Sequence, residues 1–248
     1  MRKLLFILGI LFVSTSGASI DGYPLEKAHI NPNDNESLRR GATLFANYCF
    51  NCHSVSLMRY SRIGSDLDYD EAQLESLLVF TGAKVGDLME NAMQKDDAKR
   101  WFGVTPPDLS VVSRSRGVDW LYTYLRSFYR DPSRPWGVNN AVFKDVAMPH
   151  VLWGLQGLQD AVFNIKKDKE GVEHEVISDL LISDPGKLST EQYDNAVRDI
   201  VNFLHYLGEP TKQQRLQLGG WVILYLAIFF VVMFLLKKEF WKDVKKSS

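Results

Sequence analysis

Cysteine is almost absent from this chain: Cys49 and Cys52 are the only two in 248 residues. A small scaffold stapled by several disulfides is therefore excluded. A charge excess of either sign is lacking too, since 29 Lys+Arg face 30 Asp+Glu for a formal net charge of −1. Nucleic-acid-binding domains carry a basic excess, so no nucleic-acid partner is expected. No Gly-rich phosphate loop, no Ser-His-Asp arrangement and no internal repeat is evident. What remains is ordinary folding composition, 46% hydrophobic and 24% charged. That excludes collagen-like, disordered and low-complexity classes.

Long apolar runs are also few, and both lie at the ends. Met1 is followed by Arg2 and Lys3, an apolar run Leu4 to Val13, and small residues Ser14 to Ala18. This order predicts a secretory signal peptide over 1–18, because about ten apolar residues are too short to span ~30 Å of hydrocarbon. Leu218 to Leu236 carries no charge and is 19 residues long. At 1.5 Å per residue it reaches about 28 Å, enough for one transmembrane helix. Trp221, Tyr225 and Trp241 sit where interfacial aromatics belong, and Lys237 and Lys238 follow at once. Positive charge stays on the cytoplasmic side, so 237–248 is expected to be a cytoplasmic tail. The two end signals agree. They place an extracytoplasmic domain, 19–217, on the periplasmic side of a bacterial-type inner membrane. Residues 19–220 hold 22 Lys+Arg and 28 Asp+Glu, so this domain is acidic.

Hydrophobic periodicity predicts a mainly α domain. Asp34 to Phe50 reads as a helix with Leu38, Ala42, Phe45 and Cys49 on one face. Glu71–Phe80, Val85–Met93 and Val118–Tyr129 read as helices as well. Ser189 and Gln192 fit a capping box that opens a helix with the stripe Tyr193, Val197, Ile200, Val201, Leu204 and Leu207, closed by Gly208 and Pro210. Residues 131–190 read as long irregular loops with one short strand over 172–182. Loops of that length need a core to fold around, and a large prosthetic group supplies one.

Cys49-Phe50-Asn51-Cys52-His53 is the C-x-x-C-H signature of c-type haem attachment. Two thiols two residues apart can each reach a porphyrin vinyl group, and the adjacent imidazole then lies under the ring and binds iron axially. A zinc site would need further Cys or His at ligand spacing, and a thioredoxin-like motif would need a βαβ context. A C-x-x-C disulfide would leave His53 unexplained. The sixth ligand is more open: Met58, Met89, Met93, Met148, His29, His150, His174 and His205 are all available. Met58 is too near His53 to wrap to the opposite face. Met89 and Met93 read as core residues, and His205 as a surface or partner contact. Met148-Pro149 lies in a loop that proline stiffens, and is favoured over His150. Asp66, Asp68, Asp70, Glu71 and Glu75 form an acidic run after the haem motif, which reads as a solvated face or as a surface that steers a basic partner.

Arg39-Arg40-Gly41, CFNCHS, Tyr60, GVTPPDLS (103–110), Arg114 and Arg116, VAMP (146–149) and FLHYLGEP (203–210), followed by one C-terminal membrane helix, occur in that order. The whole pattern resembles the cytochrome c1 family. The resemblance implies a cytochrome-c-like haem domain and one covalently bound haem c per chain. It also implies the electron-transfer subunit of the respiratory cytochrome bc1 complex (quinol:cytochrome c oxidoreductase), beside cytochrome b and the Rieske iron–sulfur subunit, with a soluble or anchored cytochrome c as acceptor. It implies Cys49 and Cys52 as attachment points, His53 and Met148 as iron ligands, Arg116 as the partner of a haem propionate, and Pro106 and Pro107 along the haem edge. The chain is then no enzyme by itself. Other readings are a membrane-bound haem subunit of a terminal oxidase, or a haem sensor with an open sixth position. The cysteine pair that ties the loop before the distal Met in some relatives is missing, so 131–188 must be held by packing or by neighbouring subunits.

Overall fold

The computed structural model describes residues 23–167 and 171–246, so the signal peptide expected over 1–18 lies outside the described residues. Along the chain, α1 (Asn35–Tyr48) is followed by β1 (Val55–Arg59), α2 (Tyr60–Asp66) and α3 (Glu71–Leu78). Next come β2 (Leu88–Met89), α4 (Lys95–Phe102), α5 (Val112–Ser115) and α6 (Val118–Arg126). The hairpin β3 (Phe128–Arg130) and β4 (Val138–Asn140) precedes α7 (Trp153–Gln156), and a long antiparallel ribbon follows from β5 (Gly157–Lys167) and β6 (Glu173–Pro185). The chain then runs through α8 (Thr190–Gly208) into α9 (Lys212–Lys246).

The core forms where α1 crosses α8. Asp34 caps α1 by accepting the Ser37 N–H at 3.0 Å, and Leu38, Ala42 and Phe45 are buried along one stripe. The capping box of α8 is present, with Gln192 N–H donating to Ser189 Oγ and Ser189 N–H to Gln192 Oε1. All six residues of the expected α8 stripe are buried. Phe45 meets Phe203 at 5.7 Å between ring centroids. The helices approach closely because of Gly41: a Cβ there would lie 2.1 Å from the Asp199 carbonyl oxygen. Asp199 seals the crossing. Its carboxylate accepts from Arg40 Nε at 2.6 Å and from Ser37 Oγ at 2.6 Å.

Several expectations need correction. Residues 85–93 are not a helix. Met89 pairs with Val55, and the carbonyls of Val85 and Asp87 accept from Ser61 and Tyr60, so these backbone groups are used across the chain. α4, in a charged segment for which no element is predicted, ends at Gly103, whose φ of 77° suits glycine. The helix expected over Val118–Tyr129 stops at Arg126 and turns into β3. Within 131–190, residues 141–152 are irregular as expected, but 157–185 is occupied by the β5–β6 ribbon. The strand expected over 172–182 is part of β6, and its partner β5 was not anticipated. A register shift between Val162 and Phe163 breaks the alternation that marks a strand. The segment needs no disulfide. Gln159 Nε2 donates to the carbonyls of Arg126 and Phe128, and Gln156 Nε2 donates to Arg126, tying the ribbon to α6 and β3.

The uncharged run 218–236 lies inside α9, and residues 214–242 are long and apolar enough to cross a membrane. The apolar window is not buried anywhere in the fold, as a lipid-facing helix requires.

Candidate functional site

The C-x-x-C-H segment is the end of α1. Cys49 caps the helix, its N–H donating to the Phe45 carbonyl at 2.9 Å. The Cys49 carbonyl then accepts from Cys52 N at 3.1 Å and from His53 N at 2.9 Å. One tight turn thus presents Cys49, Cys52 and His53 together, while Phe50 packs into the core against Phe45 and Tyr60. Both cysteines are free of disulfide. Burial pushes the Cys49 thiol up to about 12 and raises that of Cys52 as well. Sulfurs in such surroundings fit a thioether, which has no proton to lose.

His53 is held by the Pro107 carbonyl. A carbonyl only accepts, so His53 Nδ1–H donates to it at 2.8 Å, and the lone pair is left on Nε2. Burial lowers the pKa of His53, against the smaller opposing effects of the Pro107 contact and Asp108, and so favours the neutral imidazole that ligates a metal. The segment 106–110 is strapped to the residues after His53. Asp108 accepts from Ser56 N and Ser110 N, both at 2.8 Å; Leu109 N donates to the Ser54 carbonyl; Ser110 Oγ accepts from Leu57 N. Burial pushes the Asp108 carboxyl up, but hydrogen bonds from Ser110 and Ser56 outweigh it and hold the pKa below the usual range. Pro106 is half-buried and Pro107 exposed.

The other predicted ligand-site residues, Arg116 and Met148, lie against side chains of α6. Arg116, Trp120, Tyr124 and Phe128 recur every four residues. The Arg116 guanidinium lies over the rings of Trp120 and Phe143 at 5.1 and 5.8 Å. Trp120 stacks on Tyr124 at 4.9 Å, and Tyr124 meets Phe128 edge-on at 5.2 Å. Met148, in the loop between β4 and α7, accepts a hydrogen bond on Sδ from the Tyr124 hydroxyl at 3.2 Å. Asn139 and Asn140 shape this loop by accepting from the backbone of Asp145, and of Val142 and Phe143. Arg116 is exposed and makes no ion pair among the described residues.

The other sixth-ligand candidates fall elsewhere. Met58 and Met89 are buried on β1 and β2, where Met89 belongs to the core as expected, though on a strand and not a helix. His29 and His174 are exposed, and His205 contacts Lys212. His150 is buried, stacked on Phe128 at 4.9 Å, and burial lowers its pKa to about 4. Sequence reasoning missed Tyr124, Trp120 and Asp108. The four-residue spacing from Arg116 was the signal that pointed to the first two. Among the described residues no group of three or more His, Cys, Asp or Glu is arranged to hold a metal ion alone.

Comparison with known proteins decides the family. A model described as the Cytochrome C1 family matches residues 26–164 and 174–244. The chain belongs to the cytochrome c1 family. A cytochrome c1 from Allochromatium vinosum is 49% identical over 245 residues, covering 98% of this chain and 100% of the relative. A Nitrosomonas europaea protein named ammonia monooxygenase gamma subunit is 44% identical over 246 residues, again 98% of this chain and 100% of the relative. A cytochrome c1 from Rhodospirillum rubrum is 26% identical over 241 residues, covering 86% of this chain and 83% of the relative. Membership makes the chain a c-type haem protein and an electron-transfer subunit of the cytochrome bc1 complex, and among the described residues one helix, at the C-terminal end, is long and apolar enough to anchor it in a membrane. The cytochrome-c-like, mainly α architecture with one C-terminal anchor agrees with this assignment.

Proposed function

We propose that Cys49 and Cys52 would hold one haem through thioethers, and that His53 Nε2 and Met148 Sδ would ligate its iron. Arg116, exposed and with its guanidinium over Trp120 and Phe143, would meet a propionate, and Pro106 and Pro107 would line the exposed edge. The bound haem supplies one-electron chemistry. The chain's residues hold the ligands still, exclude water from the ring and fix its potential. The observation that carries this reading is the His53 Nδ1–H to Pro107 carbonyl hydrogen bond, which fixes both tautomer and ring orientation as ligating imidazoles require.

In this reading the domain faces the periplasm. It takes electrons from the Rieske iron–sulfur subunit beside cytochrome b and passes them to a soluble or anchored cytochrome c. A thioether in the sixth position suits a relay and argues against a gas sensor. The test is a haem-stained denaturing gel of membranes. Haem should stay with the parent chain and be lost in Cys49→Ser/Cys52→Ser. Quinol:cytochrome c reductase activity should vanish from membranes lacking the chain. Haem that dissociates from the parent on the gel refutes covalent attachment. Retained reductase activity refutes the assignment to this complex.

A further inference from the structure

The Tyr124 phenol stands out as a polar group in an apolar wall. Its residue is 9% exposed, and Met148 Sδ at 3.2 Å is its hydrogen-bond partner among the described residues. A buried hydroxyl must be satisfied, so this contact fixes both groups. The phenol is also rigidly placed. Its ring is stacked on Trp120 with planes 9° apart and bounded edge-on by Phe128. Its own carbonyl accepts from Asn140 Nδ2 at 2.8 Å, which ties the end of α6 to the segment that leads into the Met148 loop.

We propose that Tyr124 is the positioning residue for Met148, its hydroxyl holding the thioether in its ligating orientation and raising the potential of the haem. The proposal rests on the reading of Met148 as the sixth ligand. A thioether sulfur has two lone pairs. One serves the metal, and the other accepts from Tyr124. Donation into the second pair withdraws electron density from sulfur. That makes it a poorer partner for ferric iron and leaves its affinity for ferrous iron less affected, so the reduced state gains. The hydrogen bond also restrains a flexible unbranched side chain that has three rotatable bonds of its own. Nothing in the sequence motif announces this pair, because Tyr124 and Met148 are 24 residues apart.

The experiment uses the full chain with its haem, solubilised in detergent. Tyr124→Phe keeps the ring stack and removes only the donor. The oxidised-to-reduced equilibrium should shift by about three- to tenfold toward the oxidised form; tenfold corresponds to 59 mV for one electron. Carbon monoxide should bind the reduced variant faster, while haem content and helicity stay at parent values. Site-specific replacement of Tyr124 by 3-fluorotyrosine makes the phenol a stronger donor without altering the packing, and should move the potential the other way. In Tyr124→Phe/Met148→Leu, the first substitution should add nothing to the second. A folded Tyr124→Phe with unchanged potential and carbon monoxide binding overturns the proposal. If Tyr124→Phe does not accumulate, an unchanged potential in the fluorotyrosine protein overturns it instead. Met148→Leu separates the two readings. If it leaves the potential and the far-red band unchanged, Met148 is not the ligand; if it changes both while the Tyr124 variants do not, only the role of Tyr124 fails.

Discussion

Gly41→Ala sets two physical effects against each other, and the structure says which wins. In a helix interior, replacing Gly by Ala ordinarily stabilises by about 1 kcal/mol, because the unfolded chain loses freedom. Here the added Cβ would lie 2.1 Å from the Asp199 carbonyl oxygen, 2.7 Å from its carbon and 2.9 Å from Phe203 Cβ. The nearest obstacle is backbone, so no rotamer change relieves it. α1 and α8 must separate by about 1 Å to restore van der Waals contact. Overpacking of this kind costs about 1–3 kcal/mol. Separation also stretches the buried Ser37–Asp199 hydrogen bond and the Arg40–Asp199 pair. Bonds to a charged group are worth about 1.5–3 kcal/mol, and the half-exposed Arg40 contributes the lower end. The net expectation is a loss of about 2–4 kcal/mol, or roughly 4–16 °C in Tm for a chain of this size. Thermal unfolding of the detergent-solubilised full chain, followed by circular dichroism, measures it. Gly86→Ala is the control, since a Cβ there meets nothing within 4 Å. The same displacement moves Cys49 at the end of α1, so haem attachment should fall as well. A Gly41→Ala protein as stable as the parent, or more stable, would refute the reasoning outright.

Two further predictions test charge. Burial pushes Asp119 up, but the Lys27 ammonium and the Ala28 N–H outweigh this and hold it below the usual carboxylate range. Its stabilising contribution is therefore complete above about pH 4 and lost as pH falls through the lower folded pKa. Asp119→Asn should cost more stability at pH 6 than at pH 3, read as urea midpoints; an equal loss at both would exclude the linkage. The acidic run divides by role. Asp66 binds Arg62 and accepts from Tyr206, and Asp70 caps α3, whereas Asp68, Glu71 and Glu75 are exposed. Neutralising only those three, with Asn at 68 to suit its φ of 53°, should slow reduction of a basic cytochrome c at low salt, with the difference fading at physiological ionic strength. Rates equal to the parent at low salt would leave the run as ordinary surface.

Much of this protein is local and therefore legible in its sequence. The α1 and α8 stripes, the capping box at Ser189 and the uncharged run of α9 depend on spacing within one helix, where a side chain's neighbours are three or four residues away. C-x-x-C-H is local for the same reason, since two thiols and an imidazole must emerge from a single turn. Tertiary structure decided what depends on distant partners. β5 hides behind a register shift and gains its meaning only from β6 across the ribbon. Residues 85–89 alternate poorly and become a turn and a strand because β1 and α2 take their backbone groups. Gly41 reads as a helix weakness until Asp199, 158 positions later in the numbering, is found against it. The imidazole of His53 acquires its tautomer from Pro107, and the thioether of Met148 its orientation from Tyr124. Periodicity records which face of an element is buried, but not which group will lie against it. The chemistry of the site is set by those long-range contacts.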